Sequence, residues 1–391
     1  MSAALPSRRA LLRGLLAAGA VALGATACTE DAASDPPGRG TGAETPGGGS
    51  GTPAKRRFGA EWDRHERTFM AWPASAGIWG TDLPAVRQDI ARLARAVAEY
   101  EPVVVLAGAD QQAAAQNACG SDTEVLAIPV DDLWARDIVP VFVEDGGAVT
   151  GVDFNFNGWG NKQRHGNDAR VARGVLTHYG ISRRQAPLVA EGGSFETDGR
   201  GTLLVTESSV VNDNRNRGKS RQQVEDELKE TLGVTRVVWF AGVRGEDITD
   251  AHVDCLVRYT ASGAVLLDTA FPDNPADSWS RAGAQARSVL ENEVDAQGKR
   301  FRVVDLPQPD PDLITGRGDA FVSSYANFYV ANGALFVPRF GDKRADDRAQ
   351  QILREHFPGR EIVPVPIDAI AAGGGGIHCA THDQPAAPAP K

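Results

Sequence analysis

The segment that organises this chain of 391 residues reads Gly373-Gly374-Gly375-Gly376-Ile377-His378-Cys379-Ala380-Thr381-His382. Four consecutive glycines allow positive φ angles and let another molecule approach the backbone closely. The cysteine that follows them is a candidate nucleophile, although a flexible hinge beside a buried, inert thiol would give the same pattern. The choice between these interpretations depends on what the rest of the chain brings to Cys379.

Upstream of this segment, the chain repeats a helix, an apolar strand, and then two apolar strands joined by a glycine turn. Hydrophobic periodicity predicts helices at Leu83 to Tyr100, Asp168 to Tyr179, Arg221 to Leu232, Ser280 to Val294 and Asp346 to Phe357. Apolar runs predict a following strand at Val103 to Leu106, Pro187 to Ala190, Val237 to Phe240, Phe301 to Leu306 and Ile362 to Val365. Turn residues predict hairpins with their turns at 144–147, 198–201, 262–263 and 332–333.

A fifth hairpin forms only if the segment beginning at Cys379 pairs with Thr68-Phe69-Met70-Ala71-Trp72 near the start of the folded part. That pairing would close the chain into a ring. We therefore predict an α/β fold, a five-bladed propeller with pseudo-fivefold symmetry built of ββαβ units. An open doubly wound sheet is the competing architecture, but it has no use for the hairpins.

Polar side chains recur at one position of this repeat, just before the first strand of each hairpin. They are Asp137, Glu191, His252 with Asp254, Asn327 and Cys379. Equivalent positions of a ring converge on its axis, so we expect them to line one pocket. Taken singly, Asp137 could pair with Arg136 at the surface, Glu191 could be a turn residue and His252 a core histidine. Five coincidences at the same repeat position favour a site.

A thiol, a histidine and several carboxylates suit a planar cation. Carboxylates bind guanidinium by paired, charge-assisted hydrogen bonds. A thiolate can attack the guanidinium carbon, and His252 can protonate the departing nitrogen so that ammonia leaves. Water would then hydrolyse the thiouronium intermediate to a ureido group. Because neighbouring carboxylates raise the pKa of a thiol, the bound cation or His252 must help to form the thiolate.

Composition limits the partners. The chain is 42% hydrophobic and carries a net charge of −10, which predicts a globular protein and argues against nucleic acid or an anionic lipid surface. An acidic protein is compatible with a cationic substrate. The cysteines Cys28, Cys119, Cys255 and Cys379 have no metal-type spacing, so we expect neither a metal nor a cofactor.

The N-terminus has the layout of an export signal. Residues 1–27 combine paired arginines, Arg8 and Arg9, with a short apolar run and small residues at its end, as in twin-arginine signals. The run is too short to span a bilayer. Ala25-Thr26-Ala27-Cys28 resembles a lipobox, which predicts lipidation of Cys28, although simple cleavage after Ala27 is the alternative. Residues 28–57 predict a disordered tether, and residues 58–391 an extracytoplasmic catalytic domain.

The same residues resemble the family of agmatine deiminases and bacterial peptidylarginine deiminases, within the guanidino-modifying (pentein) superfamily. The resemblance extends from about residue 58 to 385 and is carried by seven motifs. They are Trp134-Ala135-Arg136-Asp137, Asp153-Phe154-Asn155-Phe156-Asn157-Gly158-Trp159-Gly160, Glu191-Gly192-Gly193-Ser194, Asn212-Asp213-Asn214-Arg215-Asn216, His252-Val253-Asp254, the run from Ser324 to Gly333, and Gly374 to Cys379.

The resemblance implies a role for each matching residue. Cys379 is the nucleophile and His252 the acid and base, Asp137 and Asp254 bind the guanidinium, and Glu191 supports the site. Trp134, Asn327 and Gly376 contact the substrate. The implied reaction converts agmatine to N-carbamoylputrescine. The chain departs from the family pattern at Ala251 and Cys255, which leaves the substrate choice open.

Three alternatives remain at this stage. A peptidylarginine deiminase would need a cation for a terminal carboxylate, and Arg164, Arg170 and Arg173 are candidates by position. A non-catalytic guanidino-binding lipoprotein would have no need of Cys379. A cysteine peptidase is opposed by carboxylates that would repel an oxyanion.

Overall fold

A computed structural model describes residues 56–314, 317–318 and 320–388. The predicted export signal and Cys28 lie outside these residues. Of the predicted tether only Arg56 and Arg57 are described, and both bind the folded part: Arg56 pairs with Asp145 and Arg57 with Glu144. Among the described residues, no helix has both the length and the apolar character needed to cross a membrane.

The strands of the described residues form five separate sheets. In chain order they are β1 (His65–Ala71), β2 (Val103–Ala107), β3 (Thr123–Ala127), β4 (Val141–Asp145), β5 (Ala148–Asp153), β6 (Ser182–Gln185), β7 (Glu196–Thr197), β8 (Thr202–Thr206), β9 (Arg236–Phe240), β10 (Val257–Tyr259), β11 (Val265–Thr269), β12 (Val303–Pro307), β13 (Tyr329–Ala331), β14 (Ala334–Arg339), β15 (Glu361–Pro366) and β16 (Thr381–Pro385). The sheet orders are β16-β1-β2-β3, β4-β5-β6, β7-β8-β9, β10-β11-β12 and β13-β14-β15.

Every sheet repeats the same pairing, which confirms the α/β prediction. The first pair is antiparallel and the next is parallel, as in β4-β5-β6 and β13-β14-β15. The two ends of the folded chain pair as predicted, because β1 and β16 are antiparallel with Phe69 opposite His382 and Met70 opposite Thr381. This pairing ties the strand that follows Cys379 to the start of the folded chain.

In the part of the chain that the structure describes, six helices of eight residues or more connect the strands: Leu83–Ala98, Gln112–Cys119, Val171–His178, Arg221–Leu232, Ser278–Asn292 and Lys343–His356. The sequence explains the ends of Arg221–Leu232. Ser220 and Gln223 form the capping box at its start, and Gly233, with φ of 74°, ends it. Five of the six helices match the predicted ones to within a few residues at each end.

Two features of the sheets differ from the prediction. The run Pro187 to Ala190 is not a strand; the third strand of its sheet is the polar segment Ser182–Gln185, which pairs with β5. Leu188 and Ala190 are buried all the same, so their apolar character reflects loop packing. The first sheet also has a fourth strand, Thr123–Ala127, reached through helix Gln112–Cys119, and neither was predicted.

Two of the middle strands lie wholly within the core. β2 and β8 are buried along their whole length, as expected for strands that are covered on both faces. The largest core cluster includes Phe69, Phe328 and Phe336. The turns that carry the candidate site residues therefore start from well-packed strands.

Candidate active site

The six candidate polar residues all lie just before the first strand of a sheet, as predicted. Asp137 lies in the short helix Ala135–Ile138 before β4, and Glu191 precedes the 3-10 turn Gly192–Ser194 before β7. His252 and Asp254 lie at the turn Val253–Cys255 before β10. Asn327 precedes β13, and Cys379 lies in the short helix Ile377–Ala380 before β16. Each of the five sheets thus contributes at least one residue.

Three of these side chains meet above Gly193. A Cβ atom added to Gly193 would lie 2.6 Å from His252 Nδ1, 2.9 Å from Asp137 Oδ1 and 3.2 Å from Asp254 Oδ2. The Gly193 N–H donates to Asp137 Oδ1 at 3.1 Å. The position therefore requires glycine for close approach, and two sheets, those that begin with β4 and β10, present their polar side chains to the small space above the glycine of a third.

Cys379 adjoins this group through Asp254. Its Sγ atom lies 3.5 Å from Asp254 Oδ2, and Asn327 Nδ2 donates to the same sulfur at 3.1 Å. Asn327 Oδ1 accepts the Cys379 N–H at 3.1 Å. A Cβ atom on Gly376 would lie 2.5 Å from Asn327 Oδ1, so the glycine permits this contact. Cys379 is partly exposed, unlike an inert core thiol.

His252 lies between two carboxylates. Its Nε2 is 3.2 Å from Glu191 Oε2, and its Nδ1 is 3.7 Å from Asp137 Oδ1. Burial alone would lower the pKa of His252, but the charges of Asp137, Glu191 and Asp254 raise it to about 9. The imidazole is therefore protonated at neutral pH and can act as an acid.

A buried arginine fixes Glu191. Arg215 Nε lies 2.8 and 3.0 Å from the two oxygens of Glu191, and Arg215 Nη1 lies 2.8 Å from Asp250. Burial opposes ionisation of Glu191, but Arg215 and His252 outweigh it and lower its pKa. Arg215 stood in one of the matching motifs without a predicted role; an arginine among four polar residues was the available signal.

Trp159 supports Asp137. Burial raises the pKa of Asp137 to about 6 against the effect of His252, with Glu191 and Asp254 adding to the rise. The Trp159 indole N–H donates to Asp137 Oδ2 at 2.8 Å, which favours the carboxylate. Trp159 has a φ of 55°, a conformation uncommon for a bulky residue. The sequence motif contained Trp159, but nothing in it indicated this contact.

Asp254 is held ionised by the residue before the nucleophile. Burial alone would raise the pKa of Asp254, but its 2.8 Å hydrogen bond with His378 Nδ1 lowers it to about 2. His378 Nε2 in turn lies 2.7 Å from Glu61 Oε2. Neither His378 nor Glu61 was predicted to act here. His378 adjoins Cys379 in sequence, whereas Glu61 lies 317 residues away and gave no signal.

Two of the sequence predictions concern residues just before Asp137, namely Trp134 and Arg136. Trp134 packs under the glycine run, because a Cβ atom on Gly375 would lie 2.3 Å from its ring. Its indole N–H donates to Asp132 at 3.0 Å. The alternative that Asp137 pairs with Arg136 is wrong. Arg136 is buried and pairs with Glu61 at 2.9 Å and with Asp383 at 3.1 Å.

One group in the described part of the chain has metal-ligand character. The ligand atoms of Asp254, Cys255 and Cys379 lie within 4.8 Å of one another. A cation bound there would occupy the sulfur of the candidate nucleophile. The site also suits an organic cation, since Asp254 contacts the thiol, Asp137 shares the space above Gly193 with Asp254 and His252 can deliver a proton.

The comparisons with known proteins agree with this geometry. Residues 57–385 match the family model described as Porphyromonas-type peptidyl-arginine deiminase. The chain is 34% identical to the agmatine deiminase of Medicago truncatula over 84% of this chain and 96% of that enzyme. It is 38% identical to the agmatine deiminase of Stutzerimonas stutzeri (strain A1501) over 84% and 95% of the two chains.

A solved structure gives the same result. The agmatine deiminase of Enterococcus faecalis, described as catalysing its reaction, superposes with a TM-score of 0.79 at 28% identity. The superposition covers 85% of this chain and 96% of that one.

Proposed function

We propose that this chain, which belongs to the Porphyromonas-type peptidyl-arginine deiminase family, is an agmatine deiminase. It hydrolyses the guanidino group of agmatine to the ureido group of N-carbamoylputrescine and releases ammonia. One observation carries the proposal: Cys379 lies against Asp254, which shares the space above Gly193 with Asp137 and His252. The relatives from Medicago truncatula, Stutzerimonas stutzeri and Enterococcus faecalis, each covered over at least 95% of its length, are named agmatine deiminases.

Binding uses the two aspartates. Asp254, whose pKa is about 2, is ionised at all physiological pH values, and Asp137 is ionised above its pKa of about 6. Two carboxylates on opposite sides of a guanidinium can each accept two N–H groups. This pairing fixes the plane of the guanidinium and brings its carbon to the sulfur of Cys379.

The reaction then proceeds in two halves. The Cys379 thiolate forms a C–S bond, and the C–N bond to one terminal nitrogen breaks as His252 donates a proton and ammonia leaves. His252, now neutral, takes a proton from water that attacks the same carbon. The C–S bond breaks, the thiolate is regenerated and the ureido group is released.

The thiolate requires the substrate's charge. Cys255 lowers the pKa of Cys379, but burial and the charges of Asp254 and Asp137 outweigh it, so the pKa of Cys379 is raised overall. The free enzyme therefore holds a thiol at neutral pH. A bound guanidinium neutralises the aspartates and adds positive charge beside the sulfur, which favours loss of the proton.

The other predicted functions are not favoured. To favour a peptidylarginine deiminase or a non-catalytic guanidino-binding lipoprotein, the site would need a feature that agmatine hydrolysis leaves unexplained. Arg164, one cation suggested for a peptide carboxylate, is largely exposed and 3.9 Å from Asp131. The partially exposed sulfur of Cys379, hydrogen-bonded by Asn327, is accounted for by covalent catalysis.

The proposal is tested by product analysis. Purified protein is incubated with agmatine, free arginine and arginyl peptides, and ammonia and ureido products are measured. We expect N-carbamoylputrescine from agmatine, and loss of turnover in Cys379→Ala. Cys119→Ser is the matched control, because Cys119 is a core thiol outside the site. Turnover of arginyl peptides with none of agmatine would refute the substrate assignment.

Two further features belong to the proposal. The five sheets are blades of an α/β propeller with approximate fivefold symmetry; the support is their repeated strand order and the site residues that each supplies.

The protein is exported by its twin-arginine-like signal and anchored by lipid at Cys28; the support is the sequence Ala25-Thr26-Ala27-Cys28 after the apolar run. Cell fractionation of the parent and of Cys28→Ser, with the protein located by immunoblotting, tests the second feature.

A further inference from the structure

A second thiol lies beside the nucleophile. The sulfurs of Cys255 and Cys379 and a carboxylate oxygen of Asp254 all lie within 4.8 Å of one another. Asn327 Nδ2 donates to both sulfurs, at 3.1 Å in each case. Both cysteines are free and partly exposed. The proposed hydrolysis requires one nucleophilic sulfur, so Cys255 forms no covalent bond in it.

The two sulfurs come from different sheets. Cys255 ends the turn Val253–Cys255 before β10, and Cys379 lies in the short helix before β16. Their contact across the site is therefore built by the fold and not by neighbouring sequence. A disulfide needs an S–S distance of about 2.05 Å, so the two sulfurs, which lie within 4.8 Å of each other, must move closer for the bond to form.

We propose that Cys255 is a resolving thiol that converts oxidised Cys379 into a reversible disulfide. The oxidant is a hydroperoxide. This inference rests on the proposed function only in taking Cys379 as the nucleophile. Disulfide formation can be measured in the absence of substrate.

Oxidation and disulfide formation are two separate steps. The Cys379 thiolate attacks the hydroperoxide, the O–O bond breaks, and sulfur is oxidised by two electrons to a sulfenic acid, while the second oxygen leaves as hydroxide or alkoxide and takes a proton from solvent. Cys255 then attacks that sulfur, the S–O bond breaks, and the oxygen leaves as water with the proton of the Cys255 thiol. A dithiol reductant returns both cysteines to thiols by exchange.

A resolving thiol has a specific consequence. Sulfenic acid that is not captured is oxidised further to sulfinic acid, which thiols do not reduce. The disulfide with Cys255 inactivates the enzyme reversibly, and it protects Cys379 from irreversible oxidation. Because the thiolate is the reactive form and the pKa of Cys379 is raised, we expect oxidation to accelerate as pH rises.

The test compares the full-length parent with Cys255→Ser, using Cys119→Ser as the control. Each protein is treated with hydrogen peroxide in the presence of a chelator, which removes any cation from the two thiols. Half of each sample is then reduced with dithiothreitol. Agmatine turnover is normalised to the untreated protein, and trypsin digests are analysed by mass spectrometry without reduction.

In the parent and in Cys119→Ser we expect a link between the tryptic peptides 245–258 and 361–391, which contain Cys255 and Cys379. That link lacks two hydrogen atoms relative to the free peptides. Activity returns after reduction. In Cys255→Ser, peptide 361–391 instead gains oxygen atoms, and most of the lost activity does not return.

Two results overturn the inference. One is recovery of Cys255→Ser as complete as that of the parent. The other is a link from Cys379 to Cys28 or Cys119 in place of Cys255. If the proposed function fails, no protein turns over agmatine, but the peptide link is still measured and decides the sulfur chemistry independently.

Discussion

We predict that the hydrogen bond between Trp159 and Asp137 sets the lower pH limit of activity. Trp159→Phe keeps an aromatic ring but removes the indole N–H that donates to Asp137 Oδ2 at 2.8 Å. The pKa of Asp137 is raised by burial to about 6, so a lost donor raises it further. A hydrogen bond to a charged group contributes about 1.5–3 kcal/mol, which corresponds to roughly 1–2 pKa units.

The assay is the pH profile of kcat/KM for agmatine, which reports ionisations of the free enzyme. For the parent we expect an acid limb near the pKa of Asp137, about 6, and an alkaline limb near that of His252, about 9. In Trp159→Phe the acid limb moves to about pH 7–8, so kcat/KM at pH 7 falls roughly two- to tenfold. The loss diminishes as the pH rises toward the alkaline limb.

A matched tryptophan controls for general effects. Trp239 donates its indole N–H to Glu225 at 2.7 Å, outside the site, so Trp239→Phe leaves the acid limb in place. An acid limb in Trp159→Phe that stays near pH 6, or an equal loss of activity at every pH, would refute the reasoning.

Three further predictions follow from the site. Gly193→Ala places a Cβ atom 2.6 Å from His252 and should abolish agmatine turnover, whereas Gly283→Ala, whose nearest contact is 3.6 Å, should retain it; equal activities would contradict the packing above Gly193. Arg215→Met leaves Glu191 buried without its fully buried partner and should lower the free energy of unfolding by about 3–5 kcal/mol. Arg184→Met, which breaks the exposed pair with Glu230, should cost less than about 1 kcal/mol in the same denaturant titration. Because the pKa of His252 is raised from 6.5 to about 9, its contribution to the free energy of unfolding is complete below about pH 6.5 and is lost as the pH rises through 9. If the free energy of unfolding of His252→Gln declined over this pH interval as steeply as that of the parent, the assignment would be contradicted.

The site residues that occupy the same position in each repeat could be predicted from the sequence. Asp137, Glu191, His252, Asp254, Asn327 and Cys379 each precede a hairpin, and local turn signals place hairpins well. The pairing of β1 with β16 followed from the same count, because four complete hairpins left one strand at each end.

Contacts made by residues outside that repeat position could not be predicted. Glu61 reaches His378 from a segment before β1, and the sequence contains no repeat that relates the two. Ser182–Gln185 is a strand despite its polar composition, because it pairs at the edge of a sheet. The run Pro187 to Ala190, of which Leu188 and Ala190 are buried, packs as a loop. Apolar composition reports burial, and burial alone does not distinguish a strand from a packed loop.

The proximity of Cys255 to Cys379 was likewise not predictable. The departure at Cys255 was visible in the sequence, but the distance between two sulfurs on different sheets depends on how the turns face each other. Side chains at equivalent repeat positions converge in general, and only coordinates give their separation.

The central claim is that Cys379 bonds covalently to the guanidino carbon of agmatine. It is tested most directly by quenching the reaction with acid during turnover and analysing peptide 361–391 by mass spectrometry. We predict an adduct on Cys379 with the mass of agmatine less ammonia, which disappears as substrate is exhausted and is absent from Cys379→Ala. Continued formation of N-carbamoylputrescine by Cys379→Ala at the parent's rate would contradict the claim.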